Sequence, residues 1–262
     1  MLDPLIFAGF GVGVLVGMTG VGGGALMTPL LVLFFGYAPS IAVATDLFFA
    51  AITKACGVAV HYHTGTIDTV VLRRLLLGSL PAALAVGVGL GLWQGISSDA
   101  MDQAMREALG WLLLLSASGI LCRKQLHGFG ASLRVRQAER FKRWQGLLTV
   151  AAGAFIGVCV SLTSVGAGAL GAVVLLYLYP FRLQGVRLVG TDLAHAIPLA
   201  MAAGAMHWIV GTIDWVLLGA LLIGSIPGVL AGVWLSRRTS LQWLNTMIAG
   251  LLVVSGLKLL AN

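Results

Sequence analysis

Charge is scarce in this chain. Only 10% of its 262 residues are Asp, Glu, Lys or Arg, and Asp and Glu together number 9. So little charge excludes a disordered or solvating polymer. Cysteine is scarcer still: Cys56, Cys122 and Cys159 are odd in number and scattered. That excludes a disulfide framework and any metal-ligand spacing, and the three read as packing residues. No catalytic set, metal or cofactor is expected. The start, Met1-Leu2-Asp3, lacks a basic region, so no cleavable signal peptide is expected. The formal charge of +7 does not point to nucleic acid, because Arg123, Lys124, Arg134, Arg136, Arg140, Lys142 and Arg143 crowd into one polar stretch, as in cytoplasmic loops of membrane proteins.

What is abundant is apolar. Hydrophobic residues make up 59% of the chain and the mean hydropathy is +1.00. A soluble core of this size could not hide that surface, so the composition predicts an all-α polytopic membrane protein whose solvent is the lipid bilayer. Spans are expected near Ser40–His61, Val70–Trp93, Ala108–Cys122, Val186–Trp208, Trp215–Leu235 and Leu241–Leu260. The stretches 94–107 and 123–144 read as loops, mixed and slightly acidic, and basic, respectively. Trp93, Trp144, Trp208, Trp215, Trp234 and Trp243 fall at span ends, where aromatic belts sit.

Glycine interrupts the first apolar segment. Thr19-Gly20-Val21-Gly22-Gly23-Gly24 should stop a helix and split Leu5–Phe35 into two short pieces. At 14 residues each, Leu5–Met18 and Gly22–Phe35 reach about 21 Å, short of a hydrocarbon core of about 30 Å. Broken backbone at that depth survives only inside protein or beside a wet cavity. The break is therefore a binding site, the tip of a re-entrant hairpin, or both.

The segment recurs. Val21-Gly22-Gly23-Gly24-Ala25-Leu26 returns as Val165-Gly166-Ala167-Gly168-Ala169-Leu170, Thr45-Asp46-Leu47 as Thr191-Asp192-Leu193, and His61 as His207. Gly65-Thr66-Ile67-Asp68 returns intact at Gly211-Thr212-Ile213-Asp214, and Gly78-Ser79-Leu80-Pro81 at Gly224-Ser225-Ile226-Pro227. The offset is 144 before a two-residue insertion and 146 after it. The chain divides into a first membrane repeat (1–122), a basic cytoplasmic linker (123–144) and a second membrane repeat (145–262). If the segment 146–179 crossed once, Arg182, Arg187, Arg237 and Arg238 would lie outside. If it turns back as a hairpin, all four lie inside, which the positive-inside rule favours. Each repeat is then a broken or re-entrant glycine-rich hairpin plus three spanning helices. The two copies are expected to be inverted, a common plan of secondary transporters.

Helix amino ends at the breaks offer unpaired amides and about half a positive charge. Glycine lets a ligand approach such a backbone closely. Candidate anion-binding residues are Thr19, Gly20, Val21, Gly22, Gly23 and Gly24 in one copy and Thr163, Ser164, Val165, Gly166, Ala167 and Gly168 in the other. Close packing of helices is the alternative role for the glycines. Ionisable residues inside spans default to function: Thr45, Asp46 and Lys54, with Thr191, Asp192 and His195, are candidates for coupling or gating. The aspartates could instead cap helices, Lys54 could simply neutralise Asp46, and His61 and His207 read as interfacial.

These residues resemble the sulfite exporter TauE/SafE family, also known as the 4-toluene sulfonate uptake permease family. The resemblance rests on the tandem glycine segments with Pro29 behind the first, on Ala44-Thr45-Asp46 and Gly190-Thr191-Asp192, and on the hydropathy pattern. It covers nearly the whole chain. It implies a multi-pass bacterial inner-membrane carrier of small sulfur-containing anions such as sulfite or organosulfonates. The second glycine segment has Val173 where the first has Pro29, so the half-sites are not equivalent. Protons as coupling ion and a homo-oligomer are left open. The rivals are a cation carrier or channel using Asp46, Asp192 and His195, and a membrane hydrolase built on Ser164.

Overall fold

The computed structural model describes residues 2–19, 24–61, 67–92, 98–136, 138–210, 213–236 and 241–261. Among them are eleven helices and no strand: α1 Leu2–Thr19, α2 Gly24–Phe34, α3 Pro39–His61, α4 Thr69–Leu92, α5 Ser98–Leu121, α6 Arg123–Arg136, α7 Ala138–Thr163, α8 Ala169–Leu178, α9 Val186–Val210, α10 Trp215–Ser236 and α11 Leu241–Ala261. The protein is all-α, and seven of these helices are long and apolar enough to cross a bilayer.

Most expected spans return within a residue or two, and three readings need correction. The stretch 94–107 is not all loop: Asp99, Asp102, Arg106 and Glu107 ride on the first turns of α5. The basic stretch 123–144 is mostly helical, as α6 and the start of α7. And α7, with its apolar stretch Phe141–Thr163, is long enough to cross alone, whereas α2 and α8, of 11 and 10 residues, reach only about 15–17 Å. Cys159 is buried as expected, but Cys122 is exposed.

Helix starts follow the repeated motifs. Asp68 accepts a hydrogen bond from the Val71 amide at 3.2 Å, and its counterpart Asp214 accepts from Val216 and Leu217 at 3.0 and 2.9 Å. Each is an N-cap carboxylate for a long span. The α3 start is capped from another helix, with the Ser40 amide donating to Asp102 at 3.0 Å.

The repeats exchange helices. Small residues of α1 lie on the backbone of α10: a Cβ at Gly9, Gly13 or Gly17 would meet Leu221, Ser225 or Val229. Because the numbers rise together, the two helices are parallel. The equivalent pair α4 and α7 does the same, with Gly153 on Leu75 and Gly157 on Ser79. Helices that are equivalent by sequence instead run antiparallel. In α3 and α9, Phe48 packs on Gly204, Thr45 reaches Asp214 and Thr191 reaches Asp68. In α5 and α11, Gly110 lies against Leu260 and Gly256. Within the second repeat α8 returns along α7: Gln145 Nε2 donates to the Leu178 carbonyl at 2.6 Å, and Tyr177 meets the Phe141 ring edge-on.

Close helix approach in lipid rests on contact between backbones, since no hydrophobic gain drives it. Gly13→Val should therefore push α1 off Ser225 and cost about 1–3 kcal/mol, read as a lower melting temperature of the purified protein. Gly89→Ala, which opens onto empty space, should stabilise by up to about 1 kcal/mol. Equal melting temperatures for the two would contradict this packing.

Candidate functional site

The second glycine break is fully described. Ser164 has φ +59° and Gly166 φ +119°. The first is an uncommon conformation for a residue with a Cβ, and the second belongs to glycine. Strain of that kind costs about 1–3 kcal/mol and gathers at functional sites. The Gly166 carbonyl accepts from Leu170 and Gly171 at 3.1 and 3.0 Å, and Gly168 accepts from Ala172 at 3.2 Å. The amides of Gly166, Ala167 and Gly168 give no hydrogen bond to a described residue, although Val165, Ala167 and Ala169 are buried. Thr163 donates to the Cys159 carbonyl at 2.7 Å and accepts from the Val165 amide at 3.2 Å. Its proton is therefore committed in this conformation. Thr19 behaves alike at the end of α1, donating to Leu15 at 2.7 Å. Gly20, Val21, Gly22 and Gly23 lie outside the described residues. Gly24 opens α2.

Against this break stands a cluster of buried polar side chains from both repeats. Asp46 is fully buried and accepts from the Thr28 hydroxyl of α2. The Ser164 hydroxyl interacts with the same carboxylate. Asp192, also buried, crosses so close to α8 that a Cβ on Gly171 would occupy its carboxylate oxygen. Lys54 is 3% exposed and interacts electrostatically with Asp192 and, more weakly, with Asp46. Arg123, at the start of α6, adds its charge to the field at Asp192. His195 Nε2 meets Ser79 Oγ at 2.9 Å. One oxygen of each aspartate, His195 Nδ1 and Ser164 Oγ have no hydrogen-bond partner among the described residues.

Two of the sequence candidates flank the second break, Asp46 at Ser164 and Asp192 at Gly171, and Lys54 interacts electrostatically with both aspartates and with His195. Neither aspartate caps its own helix. The threonines beside them serve a different end. Thr45 Oγ1 accepts from the Asp214 amide at 3.2 Å, and Thr191 Oγ1 accepts from the Asp68 amide at 3.0 Å. Each signature threonine therefore holds the N-cap aspartate of the other repeat's next span. His207 is not interfacial but buried, with Nε2 at 2.9 Å from the Ser161 carbonyl; the side chain of His61 lies outside the described residues.

Sequence reasoning gave Thr28, Ser79 and Asp68 no role. Ser79 and Asp68 lay inside repeated motifs, and that recurrence was the available signal. Asp68 takes a two-pronged contact from Arg182, with Nη2 at 2.9 Å from Oδ1, and Arg187 stands 3.9 Å away. Burial alone would raise this carboxyl, but the Arg182 hydrogen bonds outweigh it and hold it below the usual carboxylate range.

Two cavities lie away from the cluster. One of about 720 Å³ lies between the α2–α3 turn and the start of α5, walled by Tyr37, Asp99, Asp102, Arg106 and Glu107. The other, an apolar groove of about 250 Å³, runs between α1, α2 and α11.

An all-helical bundle of at least seven candidate spans, with a broken helix and buried charges at its centre, is the architecture of a membrane transporter. The chain belongs to the sulfite exporter TauE/SafE family, whose model matches residues 5–259. It is similar to the probable membrane transporter protein YjnA of Bacillus subtilis (strain 168), at 42% identity over 99% of this chain and 100% of that one. It is also similar to the probable membrane transporter protein YdhB of the same organism, at 27% identity over 95% and 99%. No solved structure matches.

Because the native Asp68 carboxyl titrates below its unfolded value of about 4, its pairing stabilises the fold at neutral pH and is lost as pH falls through the native value. Arg182 is half-exposed, so the Coulombic part is screened. Arg182→Ala should cost about 1–2 kcal/mol at pH 7, chiefly by leaving buried Asp68 short of donors. The loss should shrink toward pH 3, measured by thermal unfolding at several pH values. A pH-independent loss would contradict this assignment.

Proposed function

We propose that this transporter moves small sulfur-containing anions, sulfite or short organosulfonates, outward across the bacterial cytoplasmic (inner) membrane by alternating access. The observation that carries the reading is the buried break at Gly166–Gly168. Among the described residues its amides give no hydrogen bond, and Asp46 and Asp192, each with one oxygen left without a partner, lie beside it at Ser164 and Gly171. Amides fixed in place bind an oxyanion by hydrogen bonds and partial charge and hold it weakly enough to release it.

The repeats, 1–122 and 145–262 with 123–144 as linker, act as two inverted units that rock about the site. The antiparallel pairing of α3 with α9 and of α5 with α11 supports this. So does the return of α8 along α7, which gathers Arg73, Arg74, Arg182 and Arg187 onto the side of the basic linker. The residues at both breaks, Thr19–Gly24 and Thr163–Gly168, contact the anion. Asp46 and Asp192, with His195, carry the coupling protons. Thr45 and Thr191 gate by holding or releasing the opposite turn. Export of an anion runs with an inside-negative potential, worth about 2.3 kcal/mol per charge per 100 mV.

The test is flux of radiolabelled sulfite from proteoliposomes at two pH values. Sulfate, thiosulfate and a short sulfonate serve as competitors, and divalent cations as the rival set. The wild type should move sulfite, be inhibited by sulfur anions and ignore divalent cations. Asp46→Asn with Asp192→Asn should lower the rate and flatten its pH dependence. Competition by cations and none by anions would favour a cation carrier, and an unchanged pH profile in the double variant would remove the coupling role.

A further inference from the structure

The duplication is not symmetric in charge. At the offset of 146, Asp46 is matched by Asp192, but Lys54 is matched by Ala200 and His195 by Phe49. Each repeat thus gives one carboxylate, and the first alone gives an ammonium. On α3, Asp46 and Lys54 lie four residues either side of residue 50, the middle of Pro39–His61, about 6 Å up and down the helix axis. Lys54 is 3% exposed. It forms no ion pair within 4 Å and no hydrogen bond with a described residue. The acceptors in its electrostatic reach, Asp192 and Asp46, each keep one oxygen unbonded, as does Ser164.

A lysine kept only to neutralise a buried carboxylate should close on it, because an unpaired buried charge is costly. This one does not close. The two carboxylates it interacts with flank the break, Asp46 at Ser164 and Asp192 at Gly171. Between Ser164 and Gly171 in the chain lie the Gly166–Gly168 amides, donors for an anion that carry no full charge of their own. Lys54 has three donors on a flexible stem and no acceptor.

We propose that Lys54 binds the transported anion directly and sets the preference for anions over neutral solutes, with Asp192 and Asp46 as the carboxylates that flank it. The ammonium, flanked by both carboxylates and closed on neither, is left for the ligand at the break. The glycine amides set shape and Lys54 sets sign. This rests on the anion reading above.

The test uses the full-length protein in proteoliposomes, with sulfite as the probe. It compares the wild type, Lys54→Arg, Lys54→Gln and the charge-balanced Lys54→Gln/Asp192→Asn, each checked for a monodisperse fold. Lys54→Gln should raise the KM for sulfite about tenfold or more, as loss of a charge-assisted bond does. Lys54→Arg should recover most of that loss, and the balanced double should stay impaired. A wild type inert to every sulfur anion would sink the anion reading itself. An active wild type with Lys54→Gln within about twofold of its KM would sink the role of Lys54 alone. Recovery of the wild-type KM by the balanced double would show that Lys54 only offsets Asp192, and would overturn the proposal. Where the single variant does not fold, the double, which keeps the net charge of Asp46, Lys54 and Asp192 unchanged, decides between these outcomes.

Discussion

Backbone-to-backbone contact between exchanged helices is the constraint on which this structure depends. The glycine stripe of α1 lies on α10, and that of α7 lies on α4, so each repeat is closed by a helix of the other. With those two pairs fixed, α3 and α9 pack on each other between them, α3 also against α10 and α9 also against α4. Side chains larger than glycine on either stripe would part the pairs and open the middle. The polar groups meet because the stripes allow no slack: Lys54 on α3 comes within electrostatic reach of Asp192 and His195 on α9 only when the two helices lie side by side.

The same exchange explains the signature threonines. Thr45 and Thr191 stand beside the aspartates in sequence yet bond to the Asp214 and Asp68 amides of the opposite repeat. A motif that reads as one site is two devices, a carboxylate facing inward and a hydroxyl latching a turn. The two latches are not equal. On the basic side Asp68 is clamped by Arg182, whereas Asp214 caps α10 and has no ion pair among the described residues.

Much of this was legible in the sequence. Hydropathy located the spans because the bilayer allows few alternatives, and the glycines of the second segment marked where α7 gives way to α8. Arginine placement around 182–187 already argued that the second broken segment turns back. What stayed hidden depends on which helices neighbour which. Nothing near His207 says that it faces Ser161, and nothing near Asp68 names Arg182, 114 residues on. The helical pattern of α6 was masked by its basic residues, which read as a loop. Lys54 looked like the partner of Asp46 eight residues earlier, yet it closes on neither carboxylate and interacts with Asp192 on the facing helix as well. Local periodicity reports which face a residue occupies, and only the exchanged packing reports what that face meets.

The central claim is that the amides of the helix break and the charges beside them form one anion-binding locus. Its most direct test is an anomalous-difference map from crystals soaked with a bromoalkyl sulfonate. The account predicts a peak between the Gly166–Gly168 backbone and Lys54. A peak only in the polar mouth beside Asp102 and Arg106, or in the apolar groove between α1 and α2, with the break packed dry, would contradict it.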